Sequence, residues 1–557
     1  MKDSPLVKIF RELGQGAKGS VQDGDALGTI DKYLHVKRPV DDILLQKMHE
    51  IDVAGGGLVL LAGSAGDGKS HLISCIKSEG SFRGFSYYND ATESYSPTVT
   101  ATQTLEKGLS QFKDCNIDST SAKMLLAINL GKLNEFIEAD SVRKEYGELT
   151  DIAKQIFDDH AIGYNYDTDR IKVVLFTNQQ IYEIKKEFTE DYPVDSQFLR
   201  SILQRITQKS DNNPFYKAYE KTASQCGDTI DSAVVNYELL CIPAVQNTIV
   251  KMCIEAIIRY QLMLTPRDFL DFIYKIVVYE HNGEYDISKD FFPSLLPTLI
   301  YSNGDNRILQ SLYLLDPLKY SSNGHDNDLA LLFTAAKIPD DYFNEADLSA
   351  MPEKMIDKAN QFYSNGEKNI TDLSEFLLRL KHLMHYHSES AAYKDFLQLY
   401  LRFINGDTKA YIEAYSLVGY SIIRHYGSYY DKDNLVPLNI QGSTYRLFAP
   451  LSLKNQKPVV HYENENIFRP YITLQWEIKN LDKFISLKLD YDLYCYLTDL
   501  QNGMLNVNYE NDKNMNFNTF INNLIDKSDK TTEVVILDDN NNKEELKYDF
   551  DVLTISK

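Results

Sequence analysis

Eight consecutive residues have the types and spacing of a phosphate-binding loop, Gly63-Ser64-Ala65-Gly66-Asp67-Gly68-Lys69-Ser70. In this pattern the glycines let successive backbone amides point at phosphate oxygens, the lysine brings a positive charge near the β- and γ-phosphates, and the serine hydroxyl is placed for Mg²⁺. The pattern predicts a nucleoside triphosphate site that extends from Gly63 to His71. Lys69 is its first catalytic candidate and Ser70 its first metal ligand.

Hydrolysis of a triphosphate also needs an acid that holds Mg²⁺ or orients water. Asp90 and Glu93 follow the second predicted strand, and we expect both to act in catalysis, with Asp90 also a ligand of Mg²⁺. The carboxyl edge of a parallel sheet is where such ligands bind. The third predicted strand ends in Asn129, where an aspartate is usual. The alternative for Asp90, that it turns the chain into the next helix as a cap, stays open.

Two further polar groups are candidates for sensing the γ-phosphate, Asn178 after the fourth predicted strand and Asn129 after the third. Asparagine also ends strands for purely structural reasons, so both interpretations remain. Arg267 stands at the start of a helix that Thr265 would cap, and this arrangement resembles the sensor arginine on the lid helix of AAA+ ATPases. The alternative is that Arg267 pairs with a nearby aspartate.

Two other groupings are weaker. His382, His385 and His387, with Glu389, have metal-like spacing, but no fourth ligand is evident, and a solvated helix face is the favoured interpretation. Glu477 and Lys479 on a predicted strand match part of a nuclease motif without its preceding aspartate.

The elements that must position these residues alternate between strand and helix. A helix is predicted at 40–48, strands at 57–62, 85–88, 124–128 and 172–176, and a helix over the residues after Lys69. Such alternation predicts a parallel sheet covered on both faces. Helical periodicity dominates after about residue 285, and short β-type runs such as 445–450 and 533–537 return after about 430.

We therefore predict an α/β P-loop NTPase core with an AAA+-like parallel sheet, a helical lid and middle region, and a C-terminal α+β domain. The expected divisions are an N-terminal segment at 1–50, the NTPase domain with its lid helix at 51–285, a helical domain at 286–430 and the α+β domain at 431–557.

Composition sets limits on the class of protein. The chain has 557 residues, 43% of them hydrophobic and 25% charged, and a net charge of −22. This composition is typical of soluble multidomain proteins, and no apolar run approaches the roughly 18 residues of a membrane span. We expect a cytoplasmic protein with no membrane partner and with six reduced cysteines. The acidic charge argues against a broad nucleic-acid surface, so any contact with DNA should be local or made through partners.

Three segments together resemble one family of bacterial defence proteins. Leu61 to Ser70, Tyr88 to Pro97 with its Asn-Asp-Ala-Thr-Glu-Ser run, and Leu126 to Gly131 are similar to the DptF (DndF) family of DNA phosphorothioation-dependent restriction proteins. Leu264 to Ile273 and Leu489 to Tyr494 are also similar, whereas residues from about 285 to 430 are not.

The resemblance implies an ATPase subunit that binds ATP and Mg²⁺ at Gly63 to Ser70 and works with the restriction proteins DptG and DptH on DNA lacking the host's sulfur-modified backbone. DNA cleavage would then lie in the partners. The alternatives are a nucleotide-binding scaffold without significant hydrolysis and, less favoured, a nuclease subunit. The sequence leaves open whether the chain forms a homo-oligomer.

Overall fold

The computed structural model describes most of the chain. The described residues are 4–19, 29–89, 101–157, 166–176, 181–184, 194–281, 285–320, 322–365, 370–388, 390–425, 435–438, 445–457, 471–478, 483–504, 515–528, 533–538, 542–549 and 552–556.

The described helices and strands are numbered here in chain order. The helices are α1 (Pro5–Gly19), α2 (Thr29–Leu34), α3 (Pro39–Val53), α4 (Lys69–Glu79), α5 (Ala101–Gly108), α6 (Leu130–Glu138), α7 (Asp140–Glu145), α8 (Gly147–Phe157), α9 (Gln197–Thr207), α10 (Pro214–Cys226), α11 (Ser232–Leu240), α12 (Pro243–Tyr260), α13 (Pro266–Val277), α14 (Ile287–Asp290), α15 (Leu296–Leu299), α16 (Arg307–Leu312), α17 (Asn323–Thr334), α18 (Glu345–Ala350), α19 (Glu353–Asn365), α20 (Ile370–Met384), α21 (Ala391–Ile404), α22 (Thr408–His425), α23 (Tyr491–Gln501) and α24 (Met515–Lys527). The strands are β1 (Gly57–Gly63), β2 (Phe85–Tyr88), β3 (Lys123–Asn129), β4 (Ile171–Leu175), β5 (Glu183–Ile184), β6 (Val194–Asp195), β7 (Leu435–Pro437), β8 (Arg446–Pro450), β9 (Leu453–Asn455), β10 (Tyr471–Ile478), β11 (Lys483–Asp490), β12 (Glu533–Leu537), β13 (Lys543–Asp549) and β14 (Val552–Ser556).

The chain divides into two compact units. The first comprises Met1–Glu183, Val194–His387 and Glu465–Phe468, and the second comprises Ile184–Pro193, Ser388–Asn464 and Arg469–Lys557. The expected divisions at 50 and 285 fall inside the first unit, and the one at 430 falls inside the second. The helices α21 and α22 therefore belong with the C-terminal strands rather than with the helices before them.

The first unit contains a parallel four-stranded sheet in the order β2-β3-β1-β4. The central strand β1 pairs with β3 from Gly57 opposite Lys123 to Gly63 opposite Asn129, and with β4 on its other side. This confirms the α/β prediction and the four predicted strands to within a residue or two. Because all four strands run in the same direction, their carboxyl ends lie along one edge of the sheet.

Both faces of this sheet are buried, as a parallel sheet requires. Successive residues of β1 alternate between two cores. Leu58, Leu60 and Ala62 pack against α5, α6, α7 and α8, whereas Val59 and Leu61 pack against α3 and α4. The covering helices hold β1 rigidly from both sides, so the loop at its carboxyl end begins from a fixed point.

The first described helix, α1, lies in the N-terminal segment. Residues 13–28 are glycine-rich, yet α1 runs through to Gly19. Leu6, Phe10 and Leu13 are spaced along one face of α1 and are almost fully buried. This apolar stripe packs against α10 and α13, so the segment is part of the first unit. Burial of the stripe outweighs the low helix propensity of the glycines.

The second unit contains antiparallel sheets, one in the order β11-β10-β9 and one in the order β14-β13-β12-β8-β7. In β10 the residues alternate strictly between buried and half-buried, which is typical of a sheet with one face on a core. The buried face carries Trp476, whose ring packs against Tyr415 of α22 and Phe520 of α24. This confirms a separate antiparallel region after the parallel one.

Two expectations from composition can be compared with the described residues. All six cysteines lie in the described part of the chain and are free thiols. In that part of the chain, no single helix is both long and apolar enough to cross a membrane. The helices α11 and α12, which meet at an angle of 79°, reach the required length and hydropathy only when taken together.

Candidate functional site

The Gly63–Ser70 segment lies where the sequence predicts it, between the carboxyl end of β1 and the first turn of α4. Gly66 and Gly68 have φ angles of +89° and +93°, in the left-handed region that side chains other than glycine rarely occupy. Gly68 is the residue that caps α4. The two glycines turn the chain sharply out of a buried strand and into a helix, whose N-terminal amides carry partial positive charge.

Within the loop, two groups expected to meet phosphate contact the loop itself. The Ser64 amide donates to Asp67 Oδ2 at 2.5 Å, and Lys69 Nζ donates to the Ser64 carbonyl oxygen at 2.6 Å. Burial raises the pKa of the Asp67 carboxyl, although Lys69, the Ser64 amide and Arg38 act in the opposite direction. The second contact holds the Lys69 ammonium against the backbone of the loop.

The strand edge places two predicted residues beside this loop. The Ser70 hydroxyl donates to Asn89 Oδ1 at 3.0 Å, which joins the start of α4 to the residue after β2. Asn129 is the register partner of Gly63 in the neighbouring strand. Its side-chain oxygen accepts from the Lys132 amide at 3.2 Å and so caps α6. Asn129 therefore has the structural role of a cap and a position next to the loop.

Three of the predicted site residues, Asp90, Glu93 and Asn178, lie outside the described residues. Their roles stay predictions. The last described residues before them are Asn89, which follows β2, and Phe176, which follows β4. Both of these residues lie close to the loop.

The helix α13, which carries Arg267, begins next to the loop. A Cβ atom on Gly66 would lie 3.0 Å from the hydroxyl of Thr265, the residue that caps this helix. Thr265 also donates to Asp268 Oδ2 at 2.8 Å. Arg267 is half-buried in the first turn of α13. The structure thus brings the predicted lid helix and the predicted phosphate loop together.

Arg38 is a residue of this site that the sequence reasoning missed. Its Nη1 donates to the Asp67 carbonyl oxygen at 2.8 Å, and its guanidinium lies 4.9 Å from the centre of the Phe176 ring. A Cβ atom on Gly68 would lie 3.2 Å from Arg38 Nη2. Burial lowers its pKa, opposed by Asp41 and Asp67. No local motif marks Arg38, because its contacts come from the fold.

Three further side chains, missed in the same way, meet behind the loop. His35 Nδ1 lies 3.0 Å from His71 Nε2, and Cys75 Sγ lies 3.6 Å from the first of these nitrogens and 3.7 Å from the second. Burial lowers the pKa of His71 to about 4, and burial raises the pKa of the Cys75 thiol to about 11. The only signal in the sequence is the spacing of His71 and Cys75, one helical turn apart.

Of the three histidines in α20 and the segment after it, His385 and His387 are exposed, as a solvated face requires, but His382 is not. His382 is buried, and its Nδ1 lies 2.8 Å from the Tyr301 hydroxyl. His385 is exposed and lies 2.7 Å from Asp347 Oδ2. The prediction was wrong for His382 because the helix packs with that position towards the core. His387 packs edge-to-face against the His382 ring, and Glu389 lies outside the described residues.

The burial of His382 predicts a measurable dependence of stability on pH. Burial lowers its pKa to about 3, and His387 and His325 act in the same direction. The ordinary pKa of a histidine is about 6.5, and below that pH the unfolded chain binds a proton at His382 that the folded chain does not. The contribution of His382 to the free energy of unfolding is therefore fully present above pH 6.5 and decreases as the pH falls. The expected loss from this residue at pH 4.5, relative to pH 7, is about 3 kcal/mol.

Urea unfolding of the wild type and of His382→Gln at both pH values measures this loss. Glutamine retains an acceptor for the Tyr301 hydroxyl but does not titrate. The free energy of unfolding of the variant should therefore fall less between pH 7 and pH 4.5 than that of the wild type. An equal decrease in both proteins would contradict the prediction.

Glu477, on which the nuclease alternative rests, is a half-buried strand residue in the second unit. Its Oε2 accepts from Lys454 Nζ at 3.0 Å and from Gln456 Nε2 at 2.8 Å. These contacts link β10 to the end of β9 and account for the carboxylate structurally. Lys479 lies outside the described residues.

The described site therefore combines a glycine loop, a lysine, an arginine and a helix N-terminus at the carboxyl edge of a parallel sheet. Comparison with protein-family models, with curated proteins and with solved structures gave no match to this chain.

Proposed function

We propose that this protein is a P-loop ATPase with an AAA+-like core, which binds and hydrolyses ATP with Mg²⁺. The observation that carries the proposal is the Gly63–Ser70 loop, with Gly66 and Gly68 in left-handed conformations between a buried parallel strand and a helix N-terminus. This is the backbone shape that points consecutive amides at phosphate oxygens. Binding of a triphosphate would replace the contact of Lys69 with the Ser64 carbonyl by a contact with phosphate.

Local charge supports the same ligand. Although the whole chain carries a net charge of −22, Lys69 and Arg38 lie at the loop, and α13 brings the first turn that carries Arg267 to its edge. Cations gathered at one strand edge of an acidic protein attract a small anion there without making the surface suitable for DNA. In this proposal Arg267 reports the nucleotide state from the lid helix.

The contact of Ser70 with Asn89 supports the proposed magnesium site. Asn89 is the first residue of the Asn-Asp-Ala-Thr-Glu-Ser run, and its side chain accepts from the hydroxyl proposed to bind Mg²⁺. Asp90 is next in sequence, and we propose it as the carboxylate of this site, with Glu93 as a second acid. Asn178 and Asn129 are the proposed γ-phosphate sensors.

We further propose that the ATPase is a subunit of a bacterial phosphorothioation-dependent restriction complex with DptG and DptH. The support is the resemblance of the loop, of the Asn89–Ser94 run and of Leu126 to Gly131 to the DptF family. Glu477, the acid of the weak nuclease motif, accepts hydrogen bonds from Lys454 and Gln456. The complex, rather than this chain alone, would process DNA in the cytoplasm.

A specific observation keeps a second function under consideration. β3 pairs directly with the loop strand, and at the position opposite Gly63 it has Asn129, which caps a helix, instead of an acid. A chain that lacks an acid there could bind ATP as a structural ligand and serve as a nucleotide-dependent scaffold. The two functions differ in turnover and not in binding.

The test measures the two quantities separately on the full chain. Calorimetry gives the affinity for ATP with Mg²⁺, and phosphate release gives turnover, alone and with DptG, DptH and DNA. For an ATPase, Asp90→Asn and Glu93→Gln should retain binding and lower turnover at least about tenfold. Binding without turnover under every condition would identify the scaffold. Absence of binding would reject both functions.

A further inference from the structure

In the described part of the chain, His35, His71 and Cys75 are the three side chains grouped closely enough to hold one metal ion together. Their ligand atoms all lie within 4.8 Å of one another. His71 and Cys75 stand one turn apart on α4, and His35 comes from the segment between α2 and α3. The group thus joins two parts of the chain that are not adjacent in sequence.

The distances between the ligand atoms fit a tetrahedral metal ion. Zn–N bonds of about 2.0 Å and Zn–S bonds of about 2.3 Å at tetrahedral angles separate a nitrogen from a sulfur by about 3.5 Å and two nitrogens by about 3.3 Å. The observed N–S separations are 3.6 Å and 3.7 Å, and the N–N separation is 3.0 Å. An ion can therefore bind with small movements of the side chains.

The surroundings of the group favour a cation of borderline softness. Asp41 is buried, and its Oδ2 lies 4.0 Å from His35 Nε2, the ring nitrogen that faces away from His71. The same oxygen accepts from the Arg38 amide at 3.1 Å, and Oδ1 lies 3.8 Å from Arg38 Nε. A carboxylate behind a histidine ligand is a common arrangement around bound zinc, since it orients the ring and increases its basicity. Two imidazoles and a thiolate select zinc-type ions over Mg²⁺, which prefers oxygen ligands.

We propose that His35, His71 and Cys75 bind a zinc-type divalent ion, with the fourth position open to solvent or to another ligand. The ion lies behind the phosphate loop and is distinct from the Mg²⁺ proposed at Ser70. It fixes the segment from His35 to Arg38 against α4. Since Arg38 holds the Asp67 carbonyl and borders Gly68, the metal site stabilises the loop conformation through that segment.

The test measures metal binding by the full chain in the absence of nucleotide, so its result is independent of the proposed ATPase activity. Co²⁺ serves as a spectroscopic substitute for Zn²⁺. We expect about one equivalent of Co²⁺ to give a thiolate-to-metal absorption band and the strong visible bands of tetrahedral coordination, both displaced by Zn²⁺. Cys75→Ser should remove the thiolate band, and His35→Gln should lower the affinity at least about tenfold.

Matched controls use the same residue types away from the group. Cys115 and His49 are both exposed, and Cys115→Ser and His49→Gln should retain the full signal. A second measurement uses the wild type alone and follows the alkylation of its cysteines. Zn²⁺ should slow the alkylation of Cys75 by iodoacetamide at least about tenfold and leave that of Cys115 unchanged. Absence of the thiolate band in the wild type, its persistence in Cys75→Ser, or equal alkylation rates at Cys75 with and without Zn²⁺ would overturn the proposal.

Discussion

Lys69→Ala is expected to lower ATP turnover by about 100-fold or more. The lysine is the charged group of the loop that would stabilise negative charge building up on the β- and γ-phosphates, and removal of one such preorganised group costs about two orders of magnitude in rate. Its ammonium group already lies at the loop, 2.6 Å from the Ser64 carbonyl oxygen. Phosphate release by the full chain, assayed alone and with the proposed partners and DNA, measures the change.

The matched control is Lys77→Ala, which removes an exposed lysine from the last turn of the same helix. Its turnover should stay within about twofold of the wild type, because surface substitutions away from the site have small effects. Circular dichroism should show that both variants fold. Turnover of Lys69→Ala equal to that of the control would mean that the loop is not the catalytic site.

Asn236→Leu is expected to lower the free energy of unfolding by about 3 to 6 kcal/mol. Asn236 lies in α11 and is fully buried. Its Nδ2 donates to the carbonyl oxygens of Val277 and Ser294 at 3.1 Å and 2.9 Å, and its Oδ1 accepts from the Leu296 amide at 2.6 Å. Leucine has a similar size but leaves three buried backbone groups without this partner, each at a cost of about 1 to 3 kcal/mol.

Urea unfolding monitored by tyrosine fluorescence and circular dichroism measures this loss. The control is Asn212→Leu, at an exposed position, for which we expect a change within about 0.5 kcal/mol. Val277 is the last residue of α13, so the substitution should also loosen the helix that carries Arg267. A stability of Asn236→Leu within 1 kcal/mol of the wild type would refute the prediction.

The elements of the parallel sheet could be predicted because their signals are local. An apolar run followed by glycines and a helical pattern specified β1, the loop and α4, and the observed bounds differ from the predicted ones by a residue or two. The strand predicted around Glu477 likewise corresponds to β10, whose residues alternate between buried and half-buried. In these segments the backbone preference and the pattern of burial agree, so a short window of sequence contains the information.

Other features depended on packing between distant segments. No helix was predicted in the glycine-rich start of the chain, where α1 is found. Its apolar stripe of Leu6, Phe10 and Leu13 is buried against helices far along the sequence. The histidine spacing around His382 indicated a solvated face, whereas the fold turned this residue towards Tyr301. A single sequence does not show which face of a helix will meet a neighbour.

The sequence by itself determined the loop from Gly63 to Ser70, since left-handed backbone at Gly66 and Gly68 is a property of glycine and the strand and helix on either side follow from local periodicity. Only the tertiary structure decided what surrounds that loop: Arg38 on the Asp67 carbonyl, Thr265 against Gly66, and His35 beside His71 and Cys75. These contacts join segments separated by tens to hundreds of residues. They form because burial of apolar surface brings the helices together, and no local preference encodes the partner.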